Sequence, residues 1–363
     1  MDPAYVRALL ARTPQLNGAA VLQLRGAARG DLATALEPAI RARVSLPEAA
    51  TRWLAAPDRD AVAADLAWLA RTRTHLLLAG DPAWPAVLCR ADAPAALYVR
   101  GAPALLTAPQ LAITGTRHPS AGGIRSARDF AACFARAGLT LSTALTEGIE
   151  AEAAVAALGA GGAVLAVCAA PLDALQGLAP RGLLARVAAA GALVSAWPPG
   201  TRPTRAQLAE RLRLMSCLAL GTLVIEAARH GAPLALARLA LEQGRAVLAV
   251  PGSIHDPRSR GPHQLLREGA TLVECAADVW AEIGNSFPPP SLSAAPAAAP
   301  PRPELDKEYE MLLDAVGFEA ATVELLAART QLPSESVASM LLILELQGRV
   351  AALPGGRYGR TPG

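Results

Sequence analysis

The sequence contains few aromatic residues and almost no lysine. Phe, Trp and Tyr make up 4% of its 363 residues, and Lys307 is the one lysine among 34 basic residues. Arginine is therefore the cation available to bind an anionic ligand over most of the chain. The formal net charge of +3 is small, so overall charge does not by itself demand a nucleic-acid partner.

Cysteines are scarce and dispersed, and no targeting segment is evident. No C-x-x-C pair occurs, which favours reduced thiols in a cytoplasmic protein over disulfides or a zinc site. The N-terminus MDPAYVRALL has an early acidic residue and no long apolar stretch, so no signal peptide is predicted. Residues 154–172 carry no charge, but glycines and Pro171 interrupt them. We interpret them as a helix end, a turn and a buried strand, and not as a membrane span.

A helix–glycine–strand pattern repeats through the middle of the chain. Apolar helices end at glycine and lead into short apolar strands in FARAGLTLST, LGAGGAVLAV, VAAAGALVSA, LEQGRAVLAV and LREGATLVEC. With LAITG and LGTLVIEAA, the pattern predicts seven strands that alternate with helices between about residues 111 and 280. Continuous apolar runs suit strands buried on both faces, so the fold predicted is α/β with a doubly wound parallel sheet.

The flanking regions differ in composition. Residues 1–75 have helical periodicity and predict a small helical domain, followed by a sheet domain over 76–284. Residues 285–304 are rich in Pro and Ala and predict a linker. Residues 305–363 read as a helix, a turn, a second helix from about Pro333 and a hairpin through Gly355, which predicts a winged-helix domain.

The stretch ITGTRHPSAGG predicts an anion-binding turn between a strand and a helix. The NH groups of Gly115 and Gly123, the hydroxyls of Thr116 and Ser120 and the helix N-terminus could hold one anion, with Arg117 adding a bidentate contact. The alternative is a plain strand-to-helix turn with a solvated arginine. A dinucleotide cofactor is disfavoured, because G-x-G-x-x-G is missing and the second strand ends in a hydroxyl residue and not an acid.

Other candidate residues carry weaker signals. In PGSIHDPRSRGPHQLL, His255, Asp256 and His263 lack a third ligand at a suitable spacing, so a structural loop is favoured over a metal site. Glu226 ends a strand and is interpreted as a helix cap or an arginine partner more readily than as a base. G-x-S-x-G and P-loop motifs are both missing, and no cofactor is predicted.

The motifs together resemble the DprA/Smf family of bacterial DNA-processing proteins. The resemblance is carried in order by ALYVRG, ITGTRHPSAGG, LTEGIEAEAA, GALVSAWPPGT, LVIEAA and above all LEQGRAVLAVPGSIHDPRSRG. It covers residues 80–283 strongly and the ends weakly. The family implies an extended Rossmann-like domain, an N-terminal SAM- or HhH-like domain and a C-terminal winged helix.

The resemblance also implies site residues. The family's G-[ST]-R motif falls on 115–117, with Ser120 and Gly123 completing the turn. Its S-G-x-x-x-G-I-D loop falls on 143–150 and adds Thr143 and Gly148. Further basic positions fall on Arg181, Arg211 and Arg213. Thr143-Ala144 replaces the family's Ser-Gly, and Glu150 replaces its aspartate, so fewer or shifted phosphate contacts are expected.

The function implied is binding and not catalysis. The family binds single-stranded DNA, dimerises through the Rossmann-like domain and delivers DNA to the RecA recombinase during natural transformation, in the cytoplasm and without a membrane anchor. Few aromatic residues make phosphate contacts more important than base stacking. Two alternatives stay open. One is a nucleotide-phosphate-processing enzyme of similar fold, although the P-G-G-x-G-T-x-x-E motif of such enzymes is missing from this sequence. The other is a protein-interaction scaffold that binds no DNA.

Overall fold

The computed structural model describes residues 2–88, 93–177, 179–202, 204–284, 306–317 and 320–361. The chain divides into two compact units, residues 1–291 and residues 292–363. The linker predicted at 285–304 lies outside the described residues.

The first unit alternates helices and strands after an N-terminal helical segment. Its helices are α1 (Pro3–Arg12), α2 (Gly18–Ala27), α3 (Pro38–Arg41), α4 (Glu48–Ala55), α5 (Arg59–Thr72), α6 (Ala121–Arg136), α7 (Ile149–Gly159), α8 (Leu183–Ala190), α9 (Arg205–Leu218), α10 (Ala232–Glu242), α11 (Arg260–Arg267) and α12 (Ala276–Ile283). Its strands are β1 (Thr74–Leu78), β2 (Ala96–Gly101), β3 (Gln110–Gly115), β4 (Thr140–Thr143), β5 (Val164–Val167), β6 (Ala192–Ser195), β7 (Gly221–Ile225), β8 (Ala246–Ala249) and β9 (Thr271–Leu272).

These strands form one sheet in the order β1-β2-β6-β5-β4-β3-β7-β8-β9. Strands β3 to β9 pair in parallel, which confirms the seven strands predicted from the repeated pattern. Strand β2 runs antiparallel to β6, and β1 antiparallel to β2. The sheet is therefore mixed at one edge, whereas the sequence analysis predicted a parallel sheet.

The strand order reverses beside β3. The chain places β4, β5 and β6 on one side of β3 and then returns to place β7, β8 and β9 on the other. Strands β3 and β7 pair from Leu111 with Gly221 to Gly115 with Ile225. In such sheets the loops that leave the two central strands diverge and open a crevice beyond their carboxyl ends.

Helices cover both faces of the sheet because the strands are apolar on both sides. On one face, Leu111 and Ile113 belong to a buried cluster with Phe134 of α6 and Trp280 of α12, whose rings meet edge to face at 5.3 Å. On the other face, Ala112 belongs to a cluster that includes residues of α1, α2 and α9. All six residues of β3 are buried, as expected for a central strand.

The N-terminal helices share their core with the sheet. Leu9 of α1 and Val21 of α2 lie in one buried cluster with Leu97 of β2 and Met215 of α9. The boundary predicted near residue 75 thus falls inside the first unit. That residues 1–75 form a small helical domain stays a prediction.

The second unit has the predicted winged-helix arrangement. It contains α13 (Lys307–Val316), β10 (Ala321–Thr322), α14 (Val323–Thr330), α15 (Ser334–Leu346), β11 (Val350–Leu353) and β12 (Arg357–Arg360). Its three strands are ordered β10-β12-β11, and β11 and β12 form the hairpin wing. Leu326, Leu341 and Val350 lie in its core.

A buried carboxylate ties the N-terminal helices to the sheet. Asp81, which follows β1, accepts hydrogen bonds from Arg7 of α1, Arg25 of α2 and the NH of Leu78, and its side chain is 8% exposed. Burial alone would raise the pKa of Asp81. The hydrogen bonds from Arg7 and Leu78 and the charges of Arg7 and Arg25 outweigh it, and the pKa is lowered.

Removing this carboxylate should destabilise the protein. We expect Asp81→Ala to cost about 3 kcal/mol in denaturant unfolding, because two half-buried arginines lose their partner. Since the folded-state pKa is depressed, the stabilisation is present above the unfolded-state value, about 3.9, and is lost as pH falls through the folded pKa. Asp81→Asn should therefore unfold with a weaker dependence on acid, and exposed Asp60→Ala is the control. An unchanged acid dependence in Asp81→Asn would contradict this assignment.

Candidate functional site

A cleft of about 230 Å³ opens at the carboxyl edge of the sheet where the strand order reverses. The loops after β3, β4 and β7 and the helices α9 and α10 form its walls. The lining residues are Gly115, Thr116, Arg117, Thr146, Glu150, Arg211, Ala227, Ala228, His230, Ala232 and Pro233. The structure thus brings together three of the predicted loop residues and one of the predicted helical arginines.

The loops after β3 and β4 pack directly on each other. The NH of Ile149 donates to the carbonyl of Thr116 at 3.1 Å. Gly148 has φ +82°, and a Cβ there would collide with the backbone of Thr116 and Arg117. Glycine is required at this position, which explains the glycine of the 143–150 motif without any direct ligand contact. Thr143 is buried, and its hydroxyl accepts from the NH of Leu145 at 3.1 Å.

Glu150 joins strand β3 to the loop after β4. Its carboxylate accepts from the hydroxyl of Thr114 at 2.7 Å, and from the NH and hydroxyl of Thr146 at 3.0 and 2.7 Å. The residue is 6% exposed. Its carboxylate is a structural acceptor for donors from β3 and from the loop after β4, and these contacts hold the base of the cleft in place.

The N-terminus of α6 is occupied by a carboxylate of the protein itself. Ser120 caps the helix, since its Oγ accepts from the NH of Gly123 at 2.9 Å. The NH of Ser120 donates to Oε2 of Glu226 at 2.8 Å, and the Ser120 hydroxyl donates to Oε1. The interpretation of Glu226 as a helix cap agrees with this geometry. Contact of Ser120 or Gly123 with a ligand phosphate would require the Glu226 carboxylate to move.

The predicted arginines occupy different surroundings. Arg117 is exposed on the rim of the cleft, and Arg211 is half-buried in its wall, with a buried Nε. In the described part of the chain, neither has an ion-pair partner. Arg213 pairs instead with Glu210 at 3.4 Å and lines a separate crevice. Arg181 is exposed just before α8 and does not line the cleft.

The positions of Arg211 and Arg213 follow from helical geometry. Two residues that are two positions apart on a helix point to different sides. Arg211 lies close enough to Cys168, the residue after β5, for its charge to act on the thiol. Burial raises the pKa of the Cys168 thiol to about 12, and the charges of Arg211 and Arg100 oppose the shift. The thiol is therefore neutral and does not form an ion pair with Arg211.

His230 also lines the cleft, and the sequence analysis did not assign it. It is exposed and follows β7, one of the two strands between which the order reverses. Its position shortly after a predicted central strand is the signal that could have identified it.

The segment with His255, Asp256 and His263, which continues from a loop into α11, is held by internal contacts. Asp256 pairs with Arg258 at 2.8 Å, and hydrogen bonds from Arg258 lower the pKa of Asp256. A ring nitrogen of His263 lies 3.0 Å from the carbonyl of Gly252. Within the described ranges, no three His, Cys, Asp or Glu side chains are placed to hold a metal ion.

No helix in the described residues is long and apolar enough to cross a membrane. The uncharged stretch 154–172 contains the end of α7 and the buried strand β5, as predicted.

Comparisons of sequence define the family. Residues 75–284 match the family described as DNA recombination-mediator protein A, and residues 296–356 match the DprA winged helix domain. The chain is 37% identical over 316 residues to protein Smf of Escherichia coli K12, across 85% of this chain and 83% of that protein. It is 32% identical over 315 residues to a putative DNA processing protein DprA of Mycobacterium tuberculosis, across 82% and 80%.

Two solved structures are similar to this chain in fold. The X-ray structure of DprA from Streptococcus pneumoniae matches with a TM-score of 0.66 and 27% identity, over 77% of this chain and 97% of that one. DNA processing protein A from Helicobacter pylori, a structure described for its single-stranded DNA binding mode, matches in fold with a TM-score of 0.53 and 21% identity, over 59% and 96%.

The fold defines a class of protein, a doubly wound α/β domain followed by a winged helix, as in bacterial DNA-processing proteins. The chain belongs to the DprA/Smf family.

The contacts of Glu150 predict a measurable loss of stability. Glu150→Ala should cost about 1–3 kcal/mol, because the Thr114 hydroxyl and the Thr146 NH lose a buried acceptor. Glu152→Ala on the same helix is the control: Glu152 pairs with Arg128 at the surface and should change stability by less than about 1 kcal/mol. Equal unfolding free energies for the two variants would remove Glu150 as the anchor of these loops.

Proposed function

We propose that the protein binds single-stranded DNA and that the cleft at the carboxyl edge holds backbone phosphates. The observation that carries the proposal is the pair of cleft arginines, Arg117 and Arg211, which have no ion-pair partner among the described residues. Guanidinium groups are suited to bidentate contacts with phosphate oxygens. Membership of the DprA/Smf family and the binding mode described for the Helicobacter pylori relative support the ligand class.

Binding should be tolerant of sequence. The residues that line the cleft include no Phe, Trp or Tyr in the described part of the chain, so bases find no aromatic platform there. Phosphate contacts then supply most of the binding free energy, and they do not read the base.

The proposed role is to hold the phosphate and not to cleave it. Glu150 and Glu226, the carboxylates at the cleft, each accept several hydrogen bonds from the loops that they anchor. Their oxygens are thereby committed to structure and are poorly placed to activate a water molecule.

The cellular role follows the family as a proposal. We propose that the protein works in the cytoplasm as a homodimer formed through the Rossmann-like domain, protects incoming single strands and delivers them to RecA during natural transformation. Cys133, Cys168 and Cys275 are free thiols in the described part of the chain, which fits a reducing compartment.

Three arginine variants test the proposal. Arg117→Ala and Arg211→Ala should each weaken oligonucleotide binding by about 1.5–3 kcal/mol, because each loses a charge-assisted contact. Arg213→Ala is the matched control on α9, since its side chain lines a different crevice. In gel shifts at increasing salt, each cleft variant should make the slope of log affinity against log salt shallower by about 0.7. Binding of dT and mixed-sequence oligonucleotides should fall alike.

Three results would contradict the proposal. Unchanged affinity in correctly folded Arg117→Ala and Arg211→Ala would place DNA outside the cleft. Hydrolysis of nucleoside monophosphates with no gel shift would favour the enzyme alternative, and neither activity would favour a protein-interaction scaffold.

The winged helix should contribute little to this binding. The second helix of its helix-turn-helix, α15, carries Glu335 and Glu345 and no arginine or lysine, whereas a DNA-reading helix is typically basic. Leu342, Ile343 and Leu346 are exposed on it, which suits contact with protein more than with phosphate. A chain truncated after residue 290 should retain oligonucleotide affinity within about threefold of the full chain, or about 0.6 kcal/mol. Loss of binding on truncation would assign the DNA contact to the second unit.

A further inference from the structure

Glu226 has an unusual backbone conformation at the point where the strand order reverses. It is the first residue after β7 and has φ +50°, in the left-handed region that non-glycine residues rarely adopt. The structure maintains this conformation because both the backbone and the side chain of Glu226 contact the loop after β3.

These contacts hold both ends of the segment that carries Arg117. At one end, the NH of Thr116 donates to the carbonyl of Glu226 at 2.6 Å. At the other end, the NH and hydroxyl of Ser120 donate to the Glu226 carboxylate. Arg117 lies between the two attachments, so the course of its backbone is set by a residue 109 positions away in the sequence.

The carboxylate lies directly over the first turn of α6. A Cβ at Gly123 would stand 2.5 Å from the carboxyl carbon and from Oε2 of Glu226. In dinucleotide-binding domains, a ligand phosphate takes the N-terminus of the first helix after the central strand. Here the protein's own negative charge takes that place and interacts favourably with the helix dipole.

We propose that Glu226 is the internal anion of this cleft: it closes the N-terminus of α6 to ligand phosphates and positions Arg117 for contact with the DNA backbone outside. This inference rests on the proposed function for its second half. Glu226 is a positioning residue, since it acts on the ligand through Arg117. The DNA phosphates bind at the rim, between Arg117 and the wall that holds Arg211.

Glycine substitutions in α6 test the place of the carboxylate without any ligand. Gly123→Ala should lower the melting temperature clearly, because its Cβ meets the carboxylate. Gly122→Ala is the matched control in the same turn, since its Cβ would meet only the Ser120 Oγ, at an ordinary 3.5 Å. In a Glu226→Ala background, the destabilisation by Gly123→Ala should disappear, because the obstructing group is gone. Equal shifts for the two glycine variants in the wild-type background would overturn the proposal.

Oligonucleotide binding tests the positioning role. Glu226→Ala should weaken binding about tenfold, because the Arg117 segment loses its anchor. Glu226→Gln should stay within about threefold of wild type, since its amide can accept from the Ser120 NH and donate to the Ser120 hydroxyl. A merely structural role of Glu226 would not predict different affinities for two variants that are both folded. The Arg117→Ala/Glu226→Ala double variant should bind no more weakly than Arg117→Ala alone, because Glu226 acts through Arg117.

The stability measurements on the glycine variants and the oligonucleotide-binding measurements together distinguish failure of this inference from failure of the proposed function. Wild-type affinity in Glu226→Ala, or losses that multiply in the double variant, would overturn the positioning role while DNA binding stands. A wild-type protein that binds no oligonucleotide would overturn the proposed function. The glycine pair would then still decide whether the carboxylate occupies the α6 terminus.

Discussion

The parallel pairing of β3 with β7 is the contact on which the cleft depends. It places the carboxyl end of β3 beside the carboxyl end of β7, a strand that lies more than a hundred residues later in the sequence. The loops after these strands leave in different directions, and the space between them becomes the cleft. The same pairing brings Glu226 to Ser120, so the helix that follows β3 is capped by a group from the far half of the domain.

Among the described residues, the carboxylates of Glu150 and Glu226 form no ion pair with the cleft arginines, Arg117 and Arg211. Glu150 is stabilised by two threonine hydroxyls and an NH group, and Glu226 by a serine hydroxyl and an NH group. Donors of this kind stabilise a carboxylate without using a cation. Arg117 and Arg211 thereby keep their positive charge available to a ligand. Arg213 and Arg258 are each paired with an acid nearby.

The N-terminal helices and the winged helix relate differently to this domain. The helices are joined to the sheet by a shared apolar core and by the buried contacts of Asp81 with Arg7 and Arg25. The winged helix forms a compact unit with its own core around Leu326 and Leu341. A residue of the N-terminal helices can therefore affect the stability of the sheet through packing alone.

Local pattern was sufficient to predict the repeating elements. Apolar runs after glycine indicated the seven parallel strands, and the periodicity after residue 305 indicated the winged helix, because burial on both faces and helical amphipathicity leave direct traces in residue order. The same reasoning placed the loop 115–117 at the carboxyl edge of the sheet, where Gly115, Thr116 and Arg117 line the cleft.

Local pattern could not predict contacts between distant elements. The sequence did not reveal that β1 and β2 add an antiparallel edge, because their apolar residues are equally consistent with a packed connection. It placed Arg211 and Arg213 on one helix, but only the packing of α9 decides that Arg211 faces the cleft and Arg213 pairs with Glu210. The sequence by itself determined which parallel strands form and where the loop 115–117 lies. The tertiary structure alone decided that Glu226 fills the helix terminus beside that loop, because this contact depends on how β7 returns to the side of β3.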